Sequence, residues 1–497
     1  MKNIIQELTE QKNIRTNLSN LRKQIKDENS KKECLMLLEG KENQIVSFLQ
    51  HEDAKSRKNA ALLLGNLGYQ SALKALYDAY RTETTRFVKA SYLQAISALD
   101  CEELLDELRA DLQSLLEIEK TEENKKHIEE EIRVLRKMIV EYDGIDTHTI
   151  DIKDKKVSVL LTTNKNYREV VKRSIESSKE HLSANVHPLG IMVKTDNLLS
   201  LMQLRTFREV LFPIHTKGLI PPNPTETAKA VWEANTMELL TNLHKGEGSF
   251  YFRVECKSQM TLEERSNFTK KFSSCLETLS NQRLINSPTD YEVEIRLIAN
   301  KEGAFFPCLK LMTLRDKRFT YRKNAIATSI HPASAALMME LAKEYLKPKA
   351  QIMDPFCGVG TMLIERDLKV SAKEMYATEI FGEAVTFARE NARLAGEKIN
   401  VIHRDFFDFK HSYLFDEIIT NMPIRGKKTK QEMDIFYEKF FVKAKEILNK
   451  EATLILYTNE VGFVKKQIRL HKEYRLLQEY CMQTKGDFYL MIIGYQI

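Results

Sequence analysis

The spacing of apolar and polar residues changes twice along the chain, and each change indicates a different kind of structure. Residues 1–147 keep a helical spacing, contain no proline and are rich in leucine, alanine, glutamate and lysine. Residues 148–315 mix strands, such as KVSVLLTT at 156–163, with helices. In residues 316–497 short apolar strands alternate with amphipathic helices. We therefore predict three domains: an all-α region, an α+β domain, and a doubly wound, Rossmann-like α/β domain.

The third region has the most regular alternation. Strands are predicted at 350–354, 374–379, 399–405, 415–423, 452–458 and 487–497. The helices between them are expected at 334–345, from 361 onward, at 382–396 and at 432–448. The last strand follows a turn at Gly486, and we expect it to pair antiparallel at one side of an otherwise parallel sheet.

Two segments of the helical region repeat the same order of small and large apolar residues. RKNAALLLGNL at 57–67 aligns with RFVKASYLQAI at 86–96, so that alanine and leucine recur at one helical phase. This resembles HEAT-type helical repeats, and an ordinary amphipathic bundle is the alternative that two units do not exclude. A repeat surface of this kind could hold a protein partner.

Composition narrows the class of protein without fixing its function. The net charge of +6 permits a nucleic acid as partner but does not demand one. The seven cysteines are scattered and include no C-x-x-C pair, which argues against a disulfide framework and a metal site and favours a reducing compartment. No apolar run is long enough for a signal peptide or a membrane span. We expect a cytoplasmic protein; the sequence does not indicate its oligomeric state.

The motif DPFCGVGT, which starts at Asp354, follows the first strand of the α/β region. A dinucleotide fingerprint would need glycine at 363, where this chain has Leu363, and a phosphate loop would need lysine where Met362 stands. S-adenosylmethionine fits better, because an acid at the strand end can accept its ammonium and the backbone N–H groups of a glycine turn can donate to its carboxylate.

Two further acids end the next two strands of this region. Glu379 is placed to accept both ribose hydroxyls. Asp405 is placed to accept from the adenine amino group, with Phe406 able to stack on the ring. Either acid alone could be a helix N-cap, but three acids at successive strand ends around this glycine motif favour a methionine-cofactor site.

The glycine motif resembles the first motif of amino-group methyltransferases that act on RNA and DNA, above all the THUMP-containing RNA guanine methyltransferases with a UPF0020-type methylase domain. LRTFREVLFPI, SFYFRVECKS and RFTYRKNAIATSIHPASAALM are similar to the THUMP region and linker of those enzymes. The resemblance covers residues 150–497 and omits the helical N-terminus. It implies a cofactor site formed by Asp354, Phe356, Cys357, Gly358, Gly360, Thr361, Glu379, Ile380, Asp405, Phe406, Asn421 and His331.

The fourth strand of the α/β region ends in TNMPIRGKK, at the position of the family's reacting motif. By this resemblance, Asn421 and the backbone of Met422 and Pro423 accept the two N–H bonds of an exocyclic amine. They would thereby turn the amine's lone pair toward the methyl group. Ile424 stands where the family carries an aromatic residue that stacks on the flipped base, and Arg425 intervenes before the glycine.

Basic residues cluster in two places, and we expect these clusters to contact RNA phosphates. These residues are Lys310, Arg318, Arg322, Arg425, Lys427 and Lys428. The sequence thus predicts an S-adenosylmethionine-dependent RNA methyltransferase acting on the 2-amino group of a guanosine, in tRNA or in another structured RNA such as rRNA. Two alternatives remain: transfer to the adenine 6-amino group of RNA or DNA, and an RNA-binding protein whose catalytic corner has decayed.

Overall fold

A computed structural model describes residues 1–25, 27–118, 121–122, 124–145, 147–177, 182–483 and 485–496. The chain divides into two compact units, Met1–Asp146 and Thr147–Ile497. Among the described residues, no helix has the length and apolar character needed to cross a membrane.

The first unit is entirely helical in its described part, as the helical spacing predicts. Its helices are α1 (Lys2–Thr9), α2 (Ile14–Gln24), α3 (Glu28–Leu38), α4 (Glu42–Ser47), α5 (Ala54–Leu67), α6 (Leu73–Thr82), α7 (Arg86–Ile96), α8 (Leu105–Glu117) and α9 (Lys125–Asp143). The two repeated segments lie in α5 and α7, which pack against each other closely enough that a Cβ at Gly65 would lie 2.6 Å from Ala95 Cα. The assignment to HEAT-type repeats stays a prediction.

The second unit begins with an eight-stranded mixed sheet and its helices. Its strands are β2 (Val157–Thr162), β3 (Ala184–His187), β4 (Gly190–Thr195), β5 (Glu209–Pro213), β7 (Phe250–Lys257), β8 (Leu284–Asn286), β9 (Val293–Ala299) and β10 (Phe305–Leu311), with the pair β1 (Thr149–Ile150) and β6 (His244–Lys245) beside them. The helices are α10 (Arg168–Glu176), α11 (Leu198–Leu201), α12 (Pro224–Glu233), α13 (Thr236–Leu243) and α14 (Leu262–Leu279). The spatial order is β3-β4-β2-β5-β10-β9-β7-β8. This is the predicted α+β domain; its identity as a THUMP domain stays a prediction.

The second sheet of this unit has seven strands. They are β11 (Gln351–Asp354), β12 (Glu374–Glu379), β13 (Ile399–His403), β14 (Phe415–Asn421), β15 (Leu448–Thr458), β16 (Tyr474–Gln483) and β17 (Phe488–Tyr495). Its helices are α15 (Pro332–Ala342), α16 (Thr361–Lys369), α17 (Gly382–Ala395), α18 (Lys430–Ile447) and α19 (Val461–Leu470). The order is β13-β12-β11-β14-β15-β17-β16, and the strands from β11 to β15 run parallel.

Helices cover both faces of the seven-stranded sheet, which confirms the doubly wound prediction. Successive residues of one strand belong to opposite cores: Ile352 packs in the core under α15, α16 and α17, and Met353 in the core under α18. The last strand pairs antiparallel with β15, as predicted. The prediction missed β16, because only its first residue and Met482 are fully buried, and so it lacks a regular apolar alternation.

The two sheets belong to one compact unit, and their packing is direct. Arg205, in the loop before β5, forms a bidentate ion pair with the buried carboxylate of Glu365 on α16, with N–O distances of 2.7 and 2.9 Å. Tyr321 donates to the same carboxylate at 2.6 Å. The predicted boundary at residues 315 and 316 therefore falls within a single contiguous core, and as a domain boundary it stays a prediction.

Candidate functional site

A cavity of about 1360 Å³ opens at the carboxyl ends of the parallel strands. The order of the strands reverses between β11 and β14, and ligands of such sheets bind in the crevice at that point. One wall comes from the glycine motif and the strand ends, and the facing wall comes from the eight-stranded sheet, including Arg208, Glu209 and Arg296. Pockets for one small ligand hold about 300–1,000 Å³, so this cavity has room for a cofactor and part of a second molecule.

Backbone conformation explains the two glycines of the motif. Gly358 has φ +52° and Gly360 has φ +83°, both in the left-handed region that residues other than glycine avoid. A Cβ at either position would meet no atom closer than 3.7 Å, so the constraint is the dihedral angle and not a steric clash. Both amides are occupied: Gly358 N–H donates to Glu379 Oε2 at 3.0 Å, and Gly360 N–H to the Cys357 carbonyl at 2.8 Å. The glycine pattern alone suggested that these amides donate to a cofactor carboxylate. Because both already have acceptors, they are not free to do so.

Asp354 ends β11 and is buried, with 1% of its surface exposed, and it does not itself line the cavity, whereas its neighbours Pro355 and Phe356 do. Its Oδ1 accepts from the Phe356 amide at 3.1 Å, whereas Oδ2 has no hydrogen-bond partner among the described residues. Burial, with a smaller contribution from the charge of Glu379, raises the pKa of Asp354 to about 7, against the opposing effect of the nearby Thr420 hydroxyl and of the Phe356 amide. The hydroxyl of Thr361 in the same motif is likewise buried and unpartnered in the described part of the chain. An ammonium group that reached Oδ2 would satisfy it and favour the ionised carboxyl, and this role of Asp354 toward the amino-acid end of the cofactor stays a prediction.

The other two predicted acids lie at the cavity in different environments. Glu379 Oε1 accepts from the amides of Ile380 and Phe381 at 2.8 and 3.0 Å. Because Oε2 accepts from the Gly358 amide, both oxygens of the carboxylate are fixed by backbone hydrogen bonds. Asp405 is exposed and caps a short helical turn by accepting from the Phe407 amide at 3.0 Å. Both residues line the cavity.

Stacking of the Phe406 ring on adenine stays a prediction, because Phe406 lines the cavity but little of its side chain is exposed. The Phe406 side chain is 1% exposed and packs against Phe356 and Phe440 in the core beneath α18. The neighbouring ring of Phe407 is only partly buried and also lines the cavity. Cys357 is buried as well, and burial raises the pKa of its thiol far above the usual range.

Asn421, the last residue of β14, is oriented by a contact that the sequence did not reveal. Its Nδ2 donates to the carbonyl of Thr328 at 3.3 Å, and its Oδ1 accepts no hydrogen bond from the described residues. Thr328 belongs to residues 324–330, here called the linker segment, most of which lines the cavity. The contact holds the amide so that its oxygen is left as the free acceptor.

The rest of the predicted reacting corner also lies at the cavity. Met422 is buried and donates its amide to the Tyr457 carbonyl at 2.9 Å, while Pro423 is half-buried. Ile424 is 48% exposed. Tyr457, the neighbour of Asn421 in the sheet, stacks on Phe488 with ring centroids 5.2 Å apart, and both rings line the cavity.

His331 lies at the cavity and has a structural contact. Its Nδ1 accepts from the Ala333 amide at 3.1 Å and caps α15. Partial burial, and after it the nearby guanidinium of Arg208, lower the pKa of His331. The ring therefore favours the neutral form, with Nε2 carrying its hydrogen.

The first predicted basic cluster is mostly buried or paired with carboxylates. The Arg318 side chain is 3% exposed, bonds to Asp316 and to three backbone carbonyls, and lies 3.7 Å over the ring of Phe207. Its assignment to RNA is wrong, because the guanidinium anchors the chain between the two sheets. Lys310 is paired with Glu209 at 2.8 Å. Arg322 is half-buried, and burial lowers its pKa.

The second basic cluster is exposed, and one member reaches the cavity. Arg425, Lys427 and Lys428 all lie on the surface, and the Lys428 ammonium sits 5.1 Å from the ring of Phe436. Lys428 and Phe436 line the cavity.

Besides Arg296, which is paired with Glu209 and Glu294, four cations of the cavity were not predicted from the sequence. They are Lys165, Arg208, Lys257 and Lys485. Within the described part of the chain none is paired with a carboxylate, and Arg208 donates to the Ser334 hydroxyl at 3.1 Å. They come from four distant loops and strand ends, so no local run of charge could have shown them. The one signal in the sequence was that Lys485 precedes the predicted last strand.

Residues 320–489 match the sequence profile of the family UPF0020, described as RMKL-like, methyltransferase domain. Among curated proteins, the uncharacterized protein MG259 of Mycoplasma genitalium is 33% identical over 132 residues. That stretch is 26% of this chain and 28% of the relative, so the similarity spans less than a third of either protein.

Solved structures share the fold of the second unit. TrmN from Thermus thermophilus aligns with a TM-score of 0.52 at 18% identity, covering 68% of this chain and 99% of TrmN. SMU.472, described as a candidate methyltransferase and complexed with SAH, aligns with a TM-score of 0.50 at 16% identity, covering 69% of this chain and 99% of its own. Residues 320–489 are thus similar to a methyltransferase domain, and S-adenosyl-L-methionine is the cofactor that such a domain implies.

Proposed function

We propose that this protein methylates the exocyclic 2-amino group of a guanosine in tRNA or another structured RNA. The observation that carries the proposal is Asn421: Thr328 holds its Nδ2, and its Oδ1 is left as a hydrogen-bond acceptor at the cavity. A free amide oxygen beside a cofactor site suits an amine that must be held and turned, and asparagine has no basic group to remove a proton.

The proposed reaction requires mainly that the exocyclic amine be positioned and polarised by hydrogen bonds. When bound, S-adenosyl-L-methionine supplies an electrophilic methyl group on sulfur. An exocyclic amine conjugated to a purine is a poor nucleophile, because its lone pair lies in the π system. Asn421 Oδ1 and a backbone carbonyl of the Met422–Pro423 turn would accept its two N–H bonds and direct the lone pair at the methyl carbon. The C–N bond forms as the C–S bond breaks, and the methylated amine then loses one proton to water.

The aromatic pair Tyr457 and Phe488 supports the presence of a flipped base. Ile424 offers no π face, but Tyr457 lies beside Asn421 in the sheet and Phe488 stacks on it at the cavity. Aromatic side chains commonly hold an unstacked base by its face. The departure at Ile424 therefore need not mean that the catalytic corner has decayed.

Charge at the cavity supports RNA as the substrate class. Lys165, Lys257, Lys428 and Lys485 border the cavity, and Arg208 lies on its wall. Cations without carboxylate partners can neutralise phosphates, which provides the salt-dependent part of nucleic-acid affinity. A pocket for a free nucleoside would not need this number of cations around it.

The test is methyl transfer from tritium-labelled cofactor to RNA of a strain that lacks the gene. Wild-type protein should label RNA, and nucleoside mass spectrometry should identify N2-methylguanosine. Asn421→Ala should lower the transfer rate at least about 100-fold, the scale seen when one preorganised catalytic donor or acceptor is removed, while SAH binding is kept. Asn400→Ala is the matched control, since Asn400 is exposed on β13 and its side chain donates to the Met375 carbonyl.

Each other outcome has a definite meaning. Label in N6-methyladenosine would replace guanine by adenine as the target base. Binding of SAH without transfer to any cellular RNA would contradict the enzyme proposal and favour an RNA-binding protein. Equal transfer by Asn421→Ala and Asn400→Ala would remove Asn421 from the reaction.

A further inference from the structure

A buried amide on α17 joins the cofactor loop to the segment that orients Asn421. Asn391 has no exposed surface. Its Nδ2 donates to the Val359 carbonyl, inside the glycine motif, at 3.1 Å and to the Asn324 carbonyl at 3.0 Å. Its Oδ1 accepts from the Asn324 amide at 3.2 Å. One side chain thus satisfies three backbone groups from two segments that are far apart in the sequence.

The linker segment carries this anchor to the reacting corner. After Asn324 the chain forms a turn closed in both directions, since the Ile326 amide donates to Ser329 Oγ and the Ser329 amide to the Ile326 carbonyl, each at 2.9 Å. The Thr328 carbonyl inside that turn accepts from Asn421 Nδ2. His331 then fixes the far end by capping α15. The position of the Thr328 carbonyl is therefore set by anchors on both sides.

We propose that Asn391 is a positioning residue that couples the cofactor loop to the orientation of Asn421. Without its three bonds, the buried Val359 carbonyl and the half-buried backbone groups of Asn324 would lose these partners, and the loop and the linker segment could move independently. The effect on catalysis rests on the proposed function above, whereas the effect on cofactor binding and on the linker segment does not.

Packing alone does not account for this residue. An exposed contact runs beside it, in which Glu390 accepts from the side chains of Lys323 and Asn324. Exposed ion pairs contribute little, so that contact cannot replace the buried one. If Asn391 acted only by filling space, an isosteric side chain without the amide donor would serve equally well.

The experiment compares Asn391→Asp and Asn391→Leu with wild type. Both keep the approximate volume; Asn391→Leu removes all three hydrogen bonds, and Asn391→Asp removes at least one of the two donations, because a neutral carboxyl keeps a single O–H donor. We expect the Kd for SAH to rise about tenfold in each, which corresponds to about 1.4 kcal/mol. The amide hydrogens of Asn324 and Ser329 should exchange at least about tenfold faster, because their segment no longer has its buried anchor. Methyl transfer should fall further than the weaker cofactor affinity explains, as a drop in kcat at saturating cofactor.

Two controls separate positioning from general loss of stability. Glu390→Gln, on the neighbouring residue of α17, should leave the Kd and the exchange rates within about twofold of wild type. Tyr474→Phe removes a buried hydrogen bond to the Phe441 carbonyl far from the cavity and calibrates what destabilisation alone does. If this control reproduces the changes at an equal drop in Tm, the proposal is overturned.

The other possible results of these experiments also test the proposed role of Asn391. Near-wild-type Kd and exchange in folded Asn391→Asp and Asn391→Leu would overturn the proposal. If neither folds, Ser329→Ala tests the same path without touching the core, and it should lower kcat with little change in the Kd for SAH. Unchanged kcat in that variant would overturn the coupling to Asn421. If wild type transfers no methyl group, the proposed function fails, while the SAH and exchange measurements still test Asn391.

Discussion

The buried carboxyl of Asp354 makes apo stability and cofactor affinity respond to pH in opposite directions. Its pKa is raised from 3.8 to about 7, so the folded protein holds a proton there that the unfolded chain releases. The contribution of this group to stability is therefore highest at low pH, falls as the pH rises from about 4 to about 7, and then levels off. The interval between the two pKa values corresponds to at most about 4 kcal/mol.

Asp354→Asn removes the titration and keeps the shape. We expect the variant without cofactor to be more stable than wild type at pH 8 by about 2–4 kcal/mol, with most of that advantage gone at pH 5. Denaturant unfolding followed by fluorescence measures this directly, because Trp232 is the single tryptophan and lies in the Thr147–Ile497 unit.

The same variant should bind the cofactor worse. We predict that the cofactor ammonium binds the ionised carboxyl, so wild-type affinity for SAH should weaken about tenfold from pH 8 to pH 6. Asp354→Asn should weaken the affinity by about 10- to 100-fold at pH 8, the scale of a hydrogen bond to a charged group. Asp408→Asn, at an exposed carboxyl of the same sheet edge, is the matched control. A stability difference between wild type and Asp354→Asn that does not change from pH 5 to pH 8 would refute the reasoning.

Three further predictions follow from individual residues. Gly360→Ala should destabilise the protein by about 1–2 kcal/mol, because its φ of +83° strains any side chain, and a lower midpoint of thermal unfolding would show it. Arg366→Met should cost about 3–5 kcal/mol in denaturant unfolding, since it leaves Glu417 charged in a fully buried position, and replacing Glu417 by leucine as well should recover most of that stability. Lys257→Ala combined with Lys485→Ala should reduce the slope of log affinity against log salt by about 0.7 for each phosphate of single-stranded RNA that these lysines neutralise, and an unchanged slope in filter binding would exclude them from the RNA path.

The local sequence pattern was sufficient to predict those features of the fold that depend on residues close together in the chain. The seven-stranded sheet follows from the alternation of apolar strands and amphipathic helices, and the positive φ angles of Gly358 and Gly360 follow from the residue type and its turn. The acids at 354, 379 and 405 reach one edge because parallel strands all end on the same side of the sheet. The sheet and the common edge of the three acids are consequences of hydrophobic periodicity and chain direction, and both can be read from the sequence.

The tertiary structure alone decided which of those residues are free to act. Two similar basic residues, Arg318 and Lys428, differ completely, because one is buried among backbone carbonyls and the other lies at the cavity. Asn391 and Thr328 could not be found in the sequence, since their role depends on contacts with residues distant along the chain. The residue type determines the charge and hydrogen-bonding capacity of a side chain, whereas the fold determines its burial and its hydrogen-bond partners. The sequence therefore determined the sheet and the edge where its three acids meet, and only the packing of loops against that edge determined how Asn421 is held.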